Sequence, residues 1–410
     1  VTEQRPLVFP VTRRVFKVGV FKLDGQAKAA YNHHLIQFPS SIGKYSMNTD
    51  PLFKAFVHPK LTLKNRIVMA PMTRHFSPDG VPGKNVAEYY RKRAAGDVGL
   101  IITEGTTVNH KAASSDAAIP NFHSQAALAG WAKVVEAVHA EGGKIAPQLW
   151  HVGPIRKPGQ GPFPDYPSAS PSGLLAPGKQ VLDPLSTQEI DEIINAFAVA
   201  GKNAEELGFD SLEIHGAHGY LINSFLWEGT NQRTDQYGGS LSNRSRFAAE
   251  LVQAIRQEVG EQFPIIFRFS QWTQQDFESR LTLNPEELAT MLQPISDAGV
   301  DIFHCSTRRF WEPEFPGSTM NLAGWTKKIT GKPTISVGSV SLNEEFIATY
   351  REGKAEVADI NELLKRMAED EFDLIAVGRA LLANPDWAKR IRDDAQSLKT
   401  FSKEQLAVLD

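Results

Sequence analysis

The chain has 410 residues, of which 41% are hydrophobic and 22% charged, and its formal net charge is −3. That is the balance of a soluble globular protein. It offers no basic face for nucleic acid and no run of about 18 apolar residues for a membrane span. One cysteine, Cys305, excludes an internal disulfide framework and a cysteine-ligated iron–sulfur cluster, and its place at a strand end predicts an inert buried thiol.

Residues 1–46 differ in composition from the rest. They carry Arg5, Arg13, Arg14, Lys17, Lys22, Lys28 and Lys44 against only Glu3 and Asp24. A basic, acid-poor start can mark an organelle transit peptide, but serines are few and no amphipathic helix is evident. We read the segment as a disordered or non-native extension ahead of a domain spanning 47–410, in a cytoplasmic protein.

From there, short apolar runs alternate with helical patterns, which predicts βα units and a parallel sheet. The runs fall at 66–70, 99–103, 144–149, 211–215, 264–269, 301–305, 333–337 and 373–377. Each is nearly all apolar, as for strands covered on both faces. Between them, Leu128, Trp131, Val134, Val135 and Val138 recur at helical spacing until Gly142-Gly143. The loop at 154–184 is rich in Pro, Gly and Ser, and its length argues for a function. Following the third strand, it is placed to act as a lid. Ser186-Thr187-Gln188-Glu189 forms a capping box ahead of Ile190, Ile193, Ile194 and Phe197. Phe247, Leu251, Ile255 and Val259 make a stripe, and Asn284-Pro285 starts a further helix.

The segment His215-Gly216-Ala217-His218-Gly219-Tyr220 ends the fourth run. Two ring N–H donors three residues apart can converge on one substrate oxygen, and a phenol two residues on can deliver a proton nearby. In a barrel the C-terminal strand ends carry the chemistry. Two other readings compete: a metal-binding HxxH pair, which here lacks a partner motif for a third ligand, and hydrogen-bonded structural histidines. After the seventh and eighth strands stand Val337-Gly338-Ser339 and Val377-Gly378-Arg379. Barrels bind phosphate there; glycine lets backbone N–H groups approach, and Arg379 adds a forked cation. Each glycine alone reads equally well as a turn residue. Arg268 inside Ile265-Ile266-Phe267-Arg268-Phe269 is costly to bury without an anion, either a ligand or a core carboxylate.

Five segments resemble the Old Yellow Enzyme family of FMN-dependent ene-reductases, in the family's order: 65–74 (NRIVMAPMTR), 148–153 (QLWHVG), 215–221 (HGAHGYL), 235–244 (DQYGGSLSNR) and 377–386 (VGRALLANPD). The resemblance spans about residues 48–400. It implies a single (β/α)8 TIM barrel with a lid-like loop after the third strand. It also implies non-covalent FMN, with the phosphate at Gly338, Ser339, Gly378 and Arg379 and the ring edge at Gln148 and Arg268. Thr73 donates to the flavin O4, and Pro71, Met72 and Gly105 supply backbone contacts.

The implied mechanism has two half-reactions at one site. NADPH or NADH reduces the flavin and leaves. A small electrophilic alkene, nitro compound or quinone then binds, its oxygen held by His215 and His218, while Tyr220 gives a proton to Cα. No GxGxxG follows a strand, so no separate dinucleotide domain is expected. Arg308-Arg309-Phe310-Trp311 either lines the pocket or packs locally. Only Phe401 is placed to serve as the C-terminal aromatic that some relatives bring to the site. A monomer or homodimer without metal is expected. The competing class is a flavin-independent barrel lyase or isomerase acting on a phosphorylated substrate.

Overall fold

The eight apolar runs form parallel strands that close on themselves. The computed structural model describes residues 48–345, 349 and 353–410. Its barrel strands are β1 (Ile67–Met69), β2 (Leu100–Thr107), β3 (Ile145–Trp150), β4 (Leu212–His218), β5 (Ile265–Thr273), β6 (Ile302–Ser306), β7 (Thr334–Val337) and β8 (Leu374–Val377). Pairing follows chain order around the ring, and β8 returns to β1 through Ile375↔Ile67, Ala376↔Val68 and Val377↔Met69. This is the (β/α)8 barrel expected from the sequence. The expectation for residues 1–46 lies outside the described residues.

The helices that cover the barrel are α1 (Lys84–Ala95), α2 (Gln125–Ala140), α3 (Thr187–Glu206), α4 (Leu241–Val259), α5 (Pro285–Asp297), α6 (Leu322–Thr330), α7 (Asn361–Ala368) and α8 (Trp387–Asp393). Ser124, Ser186, Ser240, Asn284 and Asn321 each accept the backbone N–H three residues on. Each such cap typically contributes about 1 kcal/mol. The expected box at Ser186 and Glu189 is complete.

The strands bury two faces. Outward, Phe267, Ile214 and Leu149 meet helix stripes that include Trp131, Phe197 and Leu251. Inward, Val68, Leu100, Ala146, Ile266, Ile302 and Leu374 form a second apolar cluster, plugged by Phe56, Leu61 and Leu63 of a hairpin that precedes β1. Toward the C-terminal ends of the strands the buried residues turn polar: Gln148, Glu213, Arg268 and His304. An apolar floor therefore carries a polar layer at the mouth.

The loop after β3 contains an antiparallel hairpin, Leu174–Ala176 with Lys179–Gln180. Its start is anchored by Arg156, which donates to the carbonyls of Ser114 (3.1 Å), Tyr166 (2.6 Å) and Phe163. A cavity of about 530 Å³ lies between this loop (Pro154, Tyr166, Leu175) and Gln274 and Gln275 beyond β5.

The loop after β1 is held by a carboxylate. Glu104, within β2 and 1% exposed, accepts the Arg74 backbone N–H at 2.8 Å. The Arg74 guanidinium in turn donates to the carbonyls of Gln405 (2.9 Å) and Val408 (2.5 Å), tying down the C-terminal segment. Burial pushes the Glu104 carboxyl up to about 7, against the N–H groups of Arg74 and His75 that favour its ionised form. A carboxyl raised on folding stabilises fully below its unfolded pKa of about 4.3, and that contribution is lost as pH rises through about 7. Glu104→Gln is therefore expected to show a smaller fall in Tm between about pH 5 and pH 8 than the parent chain. Glu314, also pushed up to about 7 by burial, leaves a residual fall. Equal falls in the two proteins would show that Glu104 does not titrate in this window.

Candidate active site

The sequence places His215 and His218 three residues apart, and a regular strand would point them to opposite faces. β4 is not regular there. Its register with β5 runs His215↔Arg268 and Gly216↔Phe269, then jumps to His218↔Thr273. His218 itself adopts a left-handed backbone, φ 66°. The two imidazoles consequently meet edge to face with centroids 5.2 Å apart, and the Tyr220 ring lies 4.9 Å from His215. Gly216 is needed at the bend because a Cβ would come within 2.6 Å of the Phe267 ring. A left-handed non-glycine residue costs roughly 1–3 kcal/mol. Three hydrogen bonds hold it: His218 N–H to Ser270 Oγ (2.9 Å), Gln274 N–H to the His218 carbonyl (3.3 Å), and Gly219 N–H to Asn223 Oδ1 (2.8 Å).

Two tryptophans fix the rings. Trp150 stacks on His215 at 6.0 Å and meets Tyr220 edge-on at 4.8 Å, while Trp272 stacks on His218 at 4.6 Å. Burial, and then the positive charge of Arg268, holds both histidines well below their ordinary value, so they are neutral at pH 7. The Ala217 N–H donates to His215 Nδ1 at 3.3 Å, which places the ring proton on Nε2. His218 Nε2 lies 2.8 Å from Ser306 Oγ, an oxygen that accepts from Arg268 Nη2 at 3.2 Å. The Ser306 O–H is then best satisfied by donating to His218 Nε2, which leaves the proton of that ring on Nδ1. Burial raises the Tyr220 phenol above its usual value, with the hydrogen bond to Gln274 opposing, so it stays protonated.

Arg268 is 6% exposed. Among the described residues its hydrogen bond goes to Ser306, and its Nε is buried without a partner. No carboxylate among the described residues forms an ion pair with it, so the salt-bridge reading of the sequence is not realised there. A guanidinium with an unmet donor at the barrel mouth fits an electron-rich ring edge. Gln148 fits the same role: one amide N–H goes to Glu213 Oε1 at 2.8 Å, and the other N–H and the carbonyl are available.

The two expected phosphate loops are joined by Arg379. Its Nη2 donates to the Glu344 carbonyl at 2.7 Å, and its Nη1 to the Glu345 carbonyl at 3.3 Å and to Thr349 Oγ1. The fork thus lies against the segment after β7, with its pKa pushed down to about 10 by burial. It remains charged at neutral pH. Gly338 (φ 149°) and Ser339 (φ 51°) carry the left-handed backbone that starts that segment, and the Ser339 hydroxyl donates to the Arg308 carbonyl at 3.0 Å. Gly378 lies beside Met72, since a Cβ there would sit 3.6 Å from its sulfur. That brings the end of β8 to the loop of Pro71, Met72 and Thr73, where Thr73 is exposed. Gly105 has a packing reason of its own: the Trp150 indole lies where its Cβ would be.

Several further contacts bear on the sequence reading. Among the described residues no group of three or more His, Cys, Asp or Glu is arranged to hold a metal ion. Arg308 lies over Phe277 at 5.7 Å and pairs with Glu345 at 3.3 Å, while Phe310 is buried. Phe401 is buried and pairs with Ala355 in a short strand. The segment at 235–244 is structural: Asp235 pairs with Arg233, Tyr237 donates to Glu250, and Arg244 donates to the Leu226 and Gly239 carbonyls. Cys305 is buried, its thiol pushed up to about 12 by burial. Sequence reasoning missed Trp150, Trp272, Ser306, Glu213 and His304. For Glu213 and His304 a signal existed, the same one that marked Arg268: an ionisable residue inside an apolar strand.

The family model of the NADH:flavin oxidoreductase / NADH oxidase family matches residues 51–397. The chain is 36% identical to an NADH oxidase of Thermoanaerobacter brockii over 349 residues, 82% of this chain and 50% of that protein. It thus spans half the length of that relative. It is 34% identical to 12-oxophytodienoate reductase 1 of Oryza sativa subsp. japonica, covering 84% of this chain and 87% of that one. The structure is similar to that of morphinone reductase in complex with tetrahydroNAD, with a TM-score of 0.72 and 30% identity over 87% of this chain and 93% of that one. These matches disfavour a flavin-independent lyase. The chain belongs to the NADH:flavin oxidoreductase / NADH oxidase family, the Old Yellow Enzymes, and is an FMN-dependent oxidoreductase that takes its electrons from NAD(P)H.

Proposed function

We propose that the chain reduces the C=C bond of α,β-unsaturated carbonyl or nitro compounds. The observation that carries this reading is the cluster of two neutral imidazoles and a protonated phenol at the barrel mouth. Relatives whose names denote an oxo-dienoate reductase and a morphinone reductase support it. Either NADH or NADPH, in a cytoplasmic monomer or homodimer, is compatible with this reading. No helix among the described residues is long and apolar enough to cross a membrane.

FMN, when bound, supplies the two-electron carrier that accepts hydride from NAD(P)H and passes it to the substrate β-carbon. Backbone N–H groups at Gly338 and Gly378, with Ser339 and Arg379, would hold its phosphate. Gln148 and Arg268 would hold the pyrimidine edge, and the Thr73 hydroxyl would serve as a donor to the ring, with Pro71, Met72 and Gly105 supplying backbone contacts. His215 Nε2–H and His218 Nδ1–H donate to the substrate oxygen, drawing charge away from the alkene. Being neutral, they polarise without protonating it. Tyr220 gives its proton to the α-carbon and is reprotonated from solvent. Trp150 and Trp272 fix the donors and exclude water, and the anchored loop after β3 covers the mouth as a lid.

Anaerobic NAD(P)H should bleach the bound flavin, and an enone should restore its colour; a protein that bleaches but is not reoxidised by enones does not carry this activity. Tyr220→Phe should leave bleaching nearly intact and slow enone-driven reoxidation about 10²–10⁴-fold. Equal loss in both half-reactions would make Tyr220 structural.

Phenolic ligands present an oxygen like that of the substrate. Ala at His215 or His218 should weaken their binding and fade the long-wavelength charge-transfer band with oxidised flavin, non-additively in the double variant. Ser306→Ala should weaken the same band by freeing the His218 tautomer. Retention of the band in all these variants would remove the histidines from the oxygen site.

Arg379→Ala should lower FMN affinity about tenfold to hundredfold, the value of a charge-assisted contact of roughly 1.5–3 kcal/mol. Unchanged affinity would remove Arg379 from the phosphate site.

A further inference from the structure

One buried ionisable pair has no part in the chemistry above. Glu213 on β4 and His304 on β6 are both fully buried, and His304 Nδ1 donates to Glu213 Oε2 at 2.6 Å. The other carboxylate oxygen accepts from Gln148 Nε2 at 2.8 Å. His304 stands in register with Arg268, and Arg268 in register with His215. Glu213 precedes His215 by two residues and so shares its face of β4. The pair thus belongs to the polar layer that closes the barrel beneath the site.

A buried ionisable pair is poor ballast for a fold, since well-packed apolar residues of similar volume commonly serve stability as well or better. Its contacts indicate another use. Both Glu213 oxygens accept, one from His304 and one from Gln148, which is the pattern of an acceptor-only carboxylate. His304 is held below its usual value by burial, with the Glu213 carboxylate opposing and Arg268 adding to the lowering, so it is a neutral donor with no charge of its own. The layer therefore holds one anion, Glu213, and one cation, Arg268. They make no direct contact, yet the carboxylate is the foremost of the charges favouring the ionised guanidinium. Glu213 also decides which end of the Gln148 amide faces which way: the N–H bound to the carboxylate leaves the amide carbonyl pointing elsewhere.

We propose that Glu213, held by His304, is a positioning residue that sets the midpoint potential of the bound flavin, by orienting Gln148 and by offsetting the charge of Arg268. This rests on the placement of Gln148 and Arg268 at the pyrimidine edge. Reduction adds negative charge to the ring. Arg268 favours that charge, and a carboxylate beneath it opposes it. Removing the carboxylate charge should make the flavin easier to reduce and slower to pass hydride on.

The test is the midpoint potential of the FMN holoenzyme, read by reductive titration against a reference dye. Glu213→Gln should raise the potential, and Glu213→Asp, which keeps the charge, should return it toward the parent value. If Glu213→Gln fails to hold flavin, the apolar exchange Glu213→Leu with His304→Leu removes the same charge without stranding a polar partner and should raise the potential likewise. An unchanged or lowered potential in the charge-removing variants overturns the proposal. Arg268→Gln separates this from the flavin placement itself. A lowered potential there, beside an unmoved Glu213→Gln, sinks the Glu213 role alone. If neither variant shifts the potential, both the Glu213 role and the placement of Arg268 fail.

Discussion

The site is organised around a buried guanidinium that no carboxylate among the described residues touches. Arg268 lies inside β5 with its Nε unmet and its Nη2 on a serine hydroxyl. A buried cation without a paired anion is costly, so its neighbours must be compatible with it. His215, His218 and His304 all lie within reach of its field, and each is held below its ordinary value partly by that charge. Three histidines in one barrel mouth could otherwise add positive charge near neutral pH. Here they remain neutral, and neutral imidazole suits a polarising donor because it keeps one N–H and one lone pair.

Which nitrogen carries each proton is decided by small backbone and hydroxyl contacts. The Ala217 amide at His215 Nδ1 and the Ser306 hydroxyl at His218 Nε2 turn opposite ring nitrogens outward. Because Ser306 also accepts from Arg268, His218 and Arg268 share one oxygen. A change at either is expected to be felt by the other, and double substitutions here should be non-additive. The backbone break at His218 belongs to the same design. Without the left-handed residue, strand alternation would turn one ring away from the mouth.

Much of the fold was legible in the sequence because parallel barrel strands are covered on both faces and read as uninterrupted apolar runs. All eight runs proved to be strands, and the capping box at Ser186 and the stripe from Phe247 to Val259 packed as read. The strand ends were less legible. β4 continues to His218 and β5 to Thr273, where Gly216, Gln271 and Thr273 break the apolar pattern just where the chemistry lies. The parts of the site that come from pairing between distant strands were invisible for a different reason. Ser306 has no motif, and its role exists only because β6 stands beside β5. Trp150 and Trp272 look like core residues until their rings are seen against the histidines. Arg379 was read as a forked cation for phosphate, and the contacts of its donors with the segment after β7 were not legible in the sequence.

The layering of the barrel interior accounts for how the fold tolerates this site. The lower interior is apolar and joined to the hairpin at the floor, while the outer strand faces are buried against helices. Those two cores carry the hydrophobic stabilisation, at roughly 25 cal/mol per Å² of apolar surface buried. The polar layer is set where removing it would not open either core. It can hold an unmet Arg268 Nε, an unmet His304 Nε2 and a left-handed His218, each a local cost, because none is needed to close the barrel. Variation at the mouth should therefore alter potential, proton placement and substrate fit while leaving the strand order intact, whereas a change of volume at Leu251 or Phe267 acts on the scaffold as a whole.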